Sequence, residues 1–88
     1  MDRIQAMQIF MRVAQAGSFV RAAETLSLPS STVTSSIKNL ESYLQVRLLN
    51  RTTRRVSLTA EGVQYLAQCQ EILALIEHAE TSLTASVR

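Results

Sequence analysis

Apolar residues recur at helical spacing over most of this chain, and the period changes to two only between Val46 and Thr59. Asp2 with Gln5 three residues later resembles a capping box, so a first helix should begin there. Met7, Phe10, Met11 and Ala14 form its expected buried stripe. Gly17 can adopt the left-handed conformation that ends a helix, and Ser18 can cap the next one. The second helix is short, Phe19 to Leu26, and carries Ala22 and Ala23, small enough to let a neighbouring helix approach closely. A tight turn follows at Ser27-Leu28-Pro29, where Pro29 stops continuation of helix two. Either Pro29 or Ser30 can cap the third helix. In that helix Val33, Ile37, Leu40 and Leu44 form one apolar stripe. At about 100° per residue, Ser31, Ser35, Lys38 and Ser42 lie opposite it, with Thr34 on one flank.

The period-two segment reads as a short two-stranded hairpin. Val46 and Leu48, then Val56 and Leu58, alternate with polar residues, and Thr52-Thr53-Arg54 is the expected turn. The tip would present Thr53 and Arg54, flanked by Arg51 and Arg55. Thr59 is placed to cap a last helix from about Ala60, with Glu61 favourably in its first turn. Leu66, Cys69, Leu73, Ile76, Glu80, Leu83 and Val87 then follow a 3-4 spacing, apolar except at Glu80. A helix of this length cannot bury such a seam within so small a domain, so it should pair with a second copy. Folding back on helix one is the competing arrangement.

Two helices joined by a tight turn, the second covered in Ser30, Ser31, Thr32, Thr34, Ser35 and Ser36, have the form of a helix-turn-helix whose second helix enters a DNA major groove. Charge sharpens this. Of the nine basic residues, eight fall in residues 1–60 with only three acids, whereas residues 61–88 hold four acids and Arg88. The front can meet phosphates and the tail should face elsewhere. Hydrophobic residues at 47% argue for a folded chain, and 88 residues for one compact unit. One cysteine excludes an internal disulfide and a cysteine-based zinc site, and fits a reducing cytosol. Neither a signal peptide nor a run of 18 apolar residues is present, so no membrane association is expected. His78 stands alone without a second ligand at metal spacing, and reads as a surface residue. Cys69 reads as a small packing residue on the seam. Without a catalytic triad, a Gly-rich phosphate loop or a metal cluster, the chain is not expected to be an enzyme or to hold a cofactor.

The residues that carry this reading also resemble the bacterial LysR-type transcriptional regulators. The matching string starts at Phe10 and runs through Ala16-Gly17-Ser18-Phe19, Ala22-Ala23-Glu24, Leu26, Val33-Thr34, Ile37, Leu40-Glu41 and Leu44. It continues with Val46-Arg47-Leu48, Asn50-Arg51-Thr52, Arg54-Arg55-Val56-Ser57-Leu58-Thr59 and Gly62. The combination is specific, and the resemblance covers about residues 2–80. It implies a mainly α fold: a winged helix-turn-helix with a short two-stranded hairpin wing over residues 1–59, then a long dimerisation helix over 60–88. It implies base readers at Ser30, Ser31, Thr34 and Ser35, with Lys38 on the same groove-facing side near the phosphates. The wing's minor-groove residue falls on Arg54, with Thr53 beside it, and phosphate contacts fall on Ser18, Arg51 and Arg55. The expected dimer interface is Leu66, Cys69, Leu73, Ile76 and Leu83. Full-length members continue into a ligand-sensing domain, which this chain does not contain. The expected partners are double-stranded DNA, as an imperfect inverted repeat with A·T-rich flanks, and a second subunit. The expected location is the bacterial cytoplasm, on the nucleoid. Dimer and tetramer stay open for a full-length protein.

Several positions depart from the family's common pattern. Many members have Ser-Gln at Pro29-Ser30, Arg at Ser35, Phe at Leu49 and Gly at Gln45. Loss of the Gln and the Arg removes the two best bidentate base readers from the third helix. The wing and DNA shape should therefore carry a larger share of discrimination. The alternative is a winged helix used as a protein-interaction module, with the acidic apolar tail as its working surface.

Overall fold

The computed structural model describes residues 1–52 and 55–87, with side chains through residue 84. Its elements are α1 (Arg3–Ala16), α2 (Phe19–Leu26), α3 (Ser30–Leu44), β1 (Leu49–Arg51), β2 (Val56–Leu58) and α4 (Ala60–Val87). This is a mainly α winged helix-turn-helix: three helices, a two-stranded antiparallel hairpin and a long last helix.

The helix ends follow local chemistry. The Asp2 carboxylate accepts from the Gln5 N–H at 3.1 Å, and the Ser18 hydroxyl accepts from the Arg21 N–H at 3.2 Å. Gly17 is left-handed with φ +67°, so α1 stops and the chain turns directly into the Ser18 cap. α2 and α3 end in the same way, but on Ser27 and Gln45, each with φ +57°. At both ends the two N–H groups after the helix bond back to its last carbonyls. Pro29 rather than Ser30 occupies the cap of α3, with no side-chain hydrogen bond, and its carbonyl accepts from Thr32 and Val33 N–H. Thr59 caps α4: its hydroxyl accepts from the Gly62 N–H at 2.9 Å and donates to the Arg47 carbonyl at 2.6 Å.

One core joins all the helices to the hairpin base. Phe10, Val13, Ala22, Val33, Ile37, Leu40, Leu48, Leu49 and Cys69 are essentially inaccessible. Burying each large aliphatic or aromatic side chain contributes about 1.5–3 kcal/mol. The α3 stripe of Val33, Ile37 and Leu40 lies in this core, and Leu44 is half-buried at its edge. Ala22 and Ala23 are buried where α2 meets its neighbours.

Three expectations change. The α1 core face is Ala6, Ile9, Phe10 and Val13, whereas Met7, Met11 and Ala14 are only half-buried at its margin. α1 touches α2, α3 and α4 at once, so its buried surface is broader than one stripe and shifted towards the β-branched positions. In the hairpin, β1 starts at Leu49, which pairs with Leu58, so the Val46–Leu48 alternation precedes the strand. Leu48, the last residue of the connection, and Leu49, the first of the strand, are both buried in the core. Finally, Cys69 has no surface left for a partner, since it is covered within its own chain. Leu66 also packs against the core. The start of the expected dimer seam is thus spent on α1, as the fold-back arrangement required, and only the later part of α4 extends beyond it.

Candidate nucleic-acid interface

α3 presents one polar face to solvent. Ser30, Ser31, Ser35, Lys38 and Ser42 are exposed, and Thr34 is half-buried on one flank. This is the face opposite Val33, Ile37 and Leu40, so core packing fixes which side chains point outward. A shallow open groove between α3 and the start of α1 brings Gln5 and Asn39 beside Ser31 and Ser35. In the sequence Gln5 stands out only as a helix-end partner of Asp2, and Asn39 not at all, because neither lies on the helix face that periodicity singles out.

A second shallow groove separates the start of α2 from the hairpin, and Ser18, Thr52 and Arg55 line it together. Arg55 is exposed, while Ser18 is half-buried and already accepts from the Arg21 N–H. The hairpin is closed by three hydrogen bonds between Thr52 and Arg55: Thr52 N–H to the Arg55 carbonyl at 3.0 Å, Thr52 hydroxyl to the same carbonyl, and Arg55 N–H to the Thr52 hydroxyl. Thr53 and Arg54, expected at the tip, lie outside the described residues.

Arg51 is only partly available. Its guanidinium stacks over the Phe19 ring at 4.7 Å from the centroid and lies 3.9 Å from the Glu41 carboxylate. That carboxylate also accepts from the Leu48 N–H at 2.7 Å and the Leu49 N–H at 3.1 Å. Glu41 was visible in sequence only as part of a matching string, without a role. The remaining buried chemistry is remote from this surface. Tyr65 packs against Phe10 with ring centroids 5.6 Å apart, and burial pushes its phenol up to about 12, with the Cys69 thiol adding to the shift and Arg3 opposing it. Burial likewise pushes the Cys69 thiol up. Among the described residues no group of three His, Cys, Asp or Glu side chains could hold a metal ion, and no helix is long and apolar enough to cross a membrane.

Residues 4–63 match the family model of the bacterial regulatory helix-turn-helix protein, lysR family. The chain belongs to the LysR family. LysR-family relatives include an HTH-type transcriptional repressor of Pseudomonas aeruginosa, 48% identical over 83 residues, which cover 94% of this chain and 26% of the relative. The HTH-type transcriptional regulator CrgA of Neisseria meningitidis is 47% identical over 81 residues, 92% of this chain and 27% of its own length. The chain therefore spans about a quarter of the length of these curated relatives. Among solved structures, the CbnR_DBD–DNA complex superposes with a TM-score of 0.91 at 32% identity, covering 97% of this chain and 98% of that one. The BenM_DBD/catB site 1 DNA complex does so with a TM-score of 0.90 at 26% identity, over 93% of this chain and 91% of that one. The LysR family's helix-turn-helix and hairpin thus account for α1 to β2, and the first turn of α4 falls inside the matched segment.

Proposed function

We propose that this chain is the DNA-reading and subunit-pairing part of a LysR-type transcriptional regulator, binding an imperfect inverted repeat as a homodimer. The observation that carries the reading is the outward face of α3, hydroxyl-rich and cationic at Lys38, set beside a hairpin bordered by arginines. Ser30, Ser31, Thr34, Ser35 and Lys38 would enter the major groove, where hydroxyls accept from or donate to base edges and the Thr34 methyl can meet a thymine methyl. Thr53 and Arg54 would serve the minor groove, whose narrow A·T-rich form concentrates negative potential. Ser18, Arg55 and the solvent-facing side of Arg51 would hold phosphates, and these set orientation rather than sequence. That two related domains superpose on this chain in complexes with DNA supports the docking.

Labour would divide at Thr59 and Ala60: residues 1–59 read DNA, and residues 60–88 pair subunits. The core itself crosses that boundary through Cys69. The pairing surface differs from the seam read in sequence. Cys69 is excluded by its burial, and Leu66 and Leu73 lie partly against their own chain. Ile76 and Leu83 remain, and with Ile72, Leu75 and Ala79 they form an apolar strip at helical spacing on the distal half of α4. The strip bypasses Glu80, the residue that interrupted the seam. The reading is non-enzymatic and places the protein in the cytoplasm.

Selection of bound duplexes from a randomised pool tests it. An inverted repeat with A·T-rich flanks is expected, with affinity that falls steeply as salt rises. Recovery of no motif at salt low enough to retain DNA would overturn the reading and favour the interaction module.

A further inference from the structure

One carboxylate joins the recognition helix to the hairpin. Glu41 lies in the last turn of α3, and its own carbonyl accepts from the Val46 N–H at 3.2 Å as the helix ends. Its side chain reaches forward over the connection, where one oxygen accepts from both Leu48 and Leu49 N–H and the other faces Arg51. Arg51 in turn stacks on Phe19, in the first turn of α2. The end of α3, both ends of β1 and the start of α2 therefore meet at one group, which is only 17% exposed. Hydrogen bonds to an ionised carboxylate are short and roughly twice as strong as neutral ones. Glu41 is also one of just three acids in the basic first 60 residues. Turned inward onto two N–H groups and a guanidinium, its charge is kept off the surface that faces phosphates.

We propose that Glu41 is the positioning residue that sets the pose of the hairpin against α3, and so sets how much sequence preference the hairpin contributes. The inference rests on the DNA-binding reading above. A helix in the major groove and an arginine in the adjacent minor groove must be satisfied together. Site geometry of this kind has to be held to about half an ångström. Residues 45–48 connect the two readers without regular structure; Thr59 ties the Arg47 and Leu48 carbonyls to the start of α4, and the Glu41 carboxylate ties the Leu48 and Leu49 N–H groups to α3. Loosening the Glu41 tie leaves α3 fixed by Val33, Ile37 and Leu40 but lets the hairpin rock. The base preference of the half-site centre then survives, while the preference for A·T-rich flanks fades.

The test is duplex selection on the wild-type chain and on Glu41→Gln, with half-site centre and flanks scored separately and folding checked by circular dichroism. Glu41→Gln keeps the shape and one acceptor oxygen but loses the charge. Expected is a folded variant with an unchanged centre, flank preference reduced at least about threefold, and affinity lowered about 3- to 10-fold. Unchanged flank preference, or centre and flanks weakened in equal proportion, overturns the inference. If Glu41→Gln does not fold, Glu41→Asp, which keeps the charge but is one methylene shorter, is read on the same two scores. Failure of both to fold also overturns it, because Glu41 would then hold the fold rather than the pose. A wild-type chain that recovers no motif removes the DNA-binding reading and the inference with it. A wild-type motif with the same flank preference in folded Glu41→Gln removes the inference alone.

Discussion

Single residues set the joints between elements. Gly62 is the clearest case: a Cβ there would run into the Leu48 carbonyl and touch the Leu58 side chain, so only glycine lets α4 begin against the hairpin base. Gly62→Ala should destabilise the fold by about 1–3 kcal/mol, the usual cost of forcing a methyl into a packed site. Chemical denaturation would show this as a lowered midpoint, and an unchanged midpoint would mean the backbone yields at no cost. Much at this scale was legible in the sequence. Asp2, Gly17, Ser18 and Thr59 act as helix ends through short-range bonds that need only their neighbours in the chain. Gly62 and Glu41 act across space, on Leu48 and its surroundings, and their roles had no local signature. The same distinction separates Gly17, whose left-handed backbone could be foreseen, from Ser27 and Gln45, which take that conformation at non-glycine positions.

Among the elements, α4 shows where pattern reading succeeds and stops. Its 3-4 repeat is real, but one stripe serves two purposes in succession. The Tyr65–Cys69 turn is pressed onto α1, whereas Ile72, Leu75 and Ile76 run out towards solvent. Periodicity reports which face is apolar, not what covers it, so an intrachain contact and an interchain one look alike. The expected hairpin is present, but its first strand starts later than the alternation suggests, since Leu48 and Leu49 are buried in succession and break the pattern that would have marked its start. The α1–α4 contact has a titration signature. The Tyr65 phenol keeps its proton beyond the ordinary value of 10, up to about 12, chiefly because burial disfavours the phenolate. Unfolded chains release that proton from about pH 10, so the contribution of Tyr65 is complete below pH 10 and is lost as pH rises from 10 to about 12. The chain has two tyrosines, and Tyr43→Phe leaves Tyr65 as the only one. Phenolate absorbance in that variant should have its midpoint near 12; a midpoint near 10 would place Tyr65 in water.

At the scale of the molecule, the shape is a compact reader with one long arm, measuring 50 × 26 × 21 Å. Basic residues gather on the reader and acids on the arm, as the sequence implied. The proposed homodimer can be probed where the fold is not at risk. Leu75 is 67% exposed, so Leu75→Glu should leave the chain folded while placing a charge in the paired strip. Analytical sedimentation should then show the dimer dissociating at concentrations at least about tenfold higher than for the wild type. A variant that stays as tightly dimeric would exclude the strip as the interface. Leu73 is a poorer probe, because it also lines a groove with Met11 and Leu26 of its own chain.

The 28 residues of α4 form one uninterrupted helix, so it behaves as a lever about 42 Å long whose fulcrum is the contact of Tyr65 and Cys69 with α1. A tilt of roughly 10° at that fulcrum would swing the far end, about 30 Å beyond it, by about 5 Å, roughly a seventh of the 34 Å that separates half-sites one DNA turn apart. In a paired molecule the side chains that wedge the lever at its base, Phe10 and Tyr65 foremost, would act as the gauge for operator spacing without ever coming near a base pair.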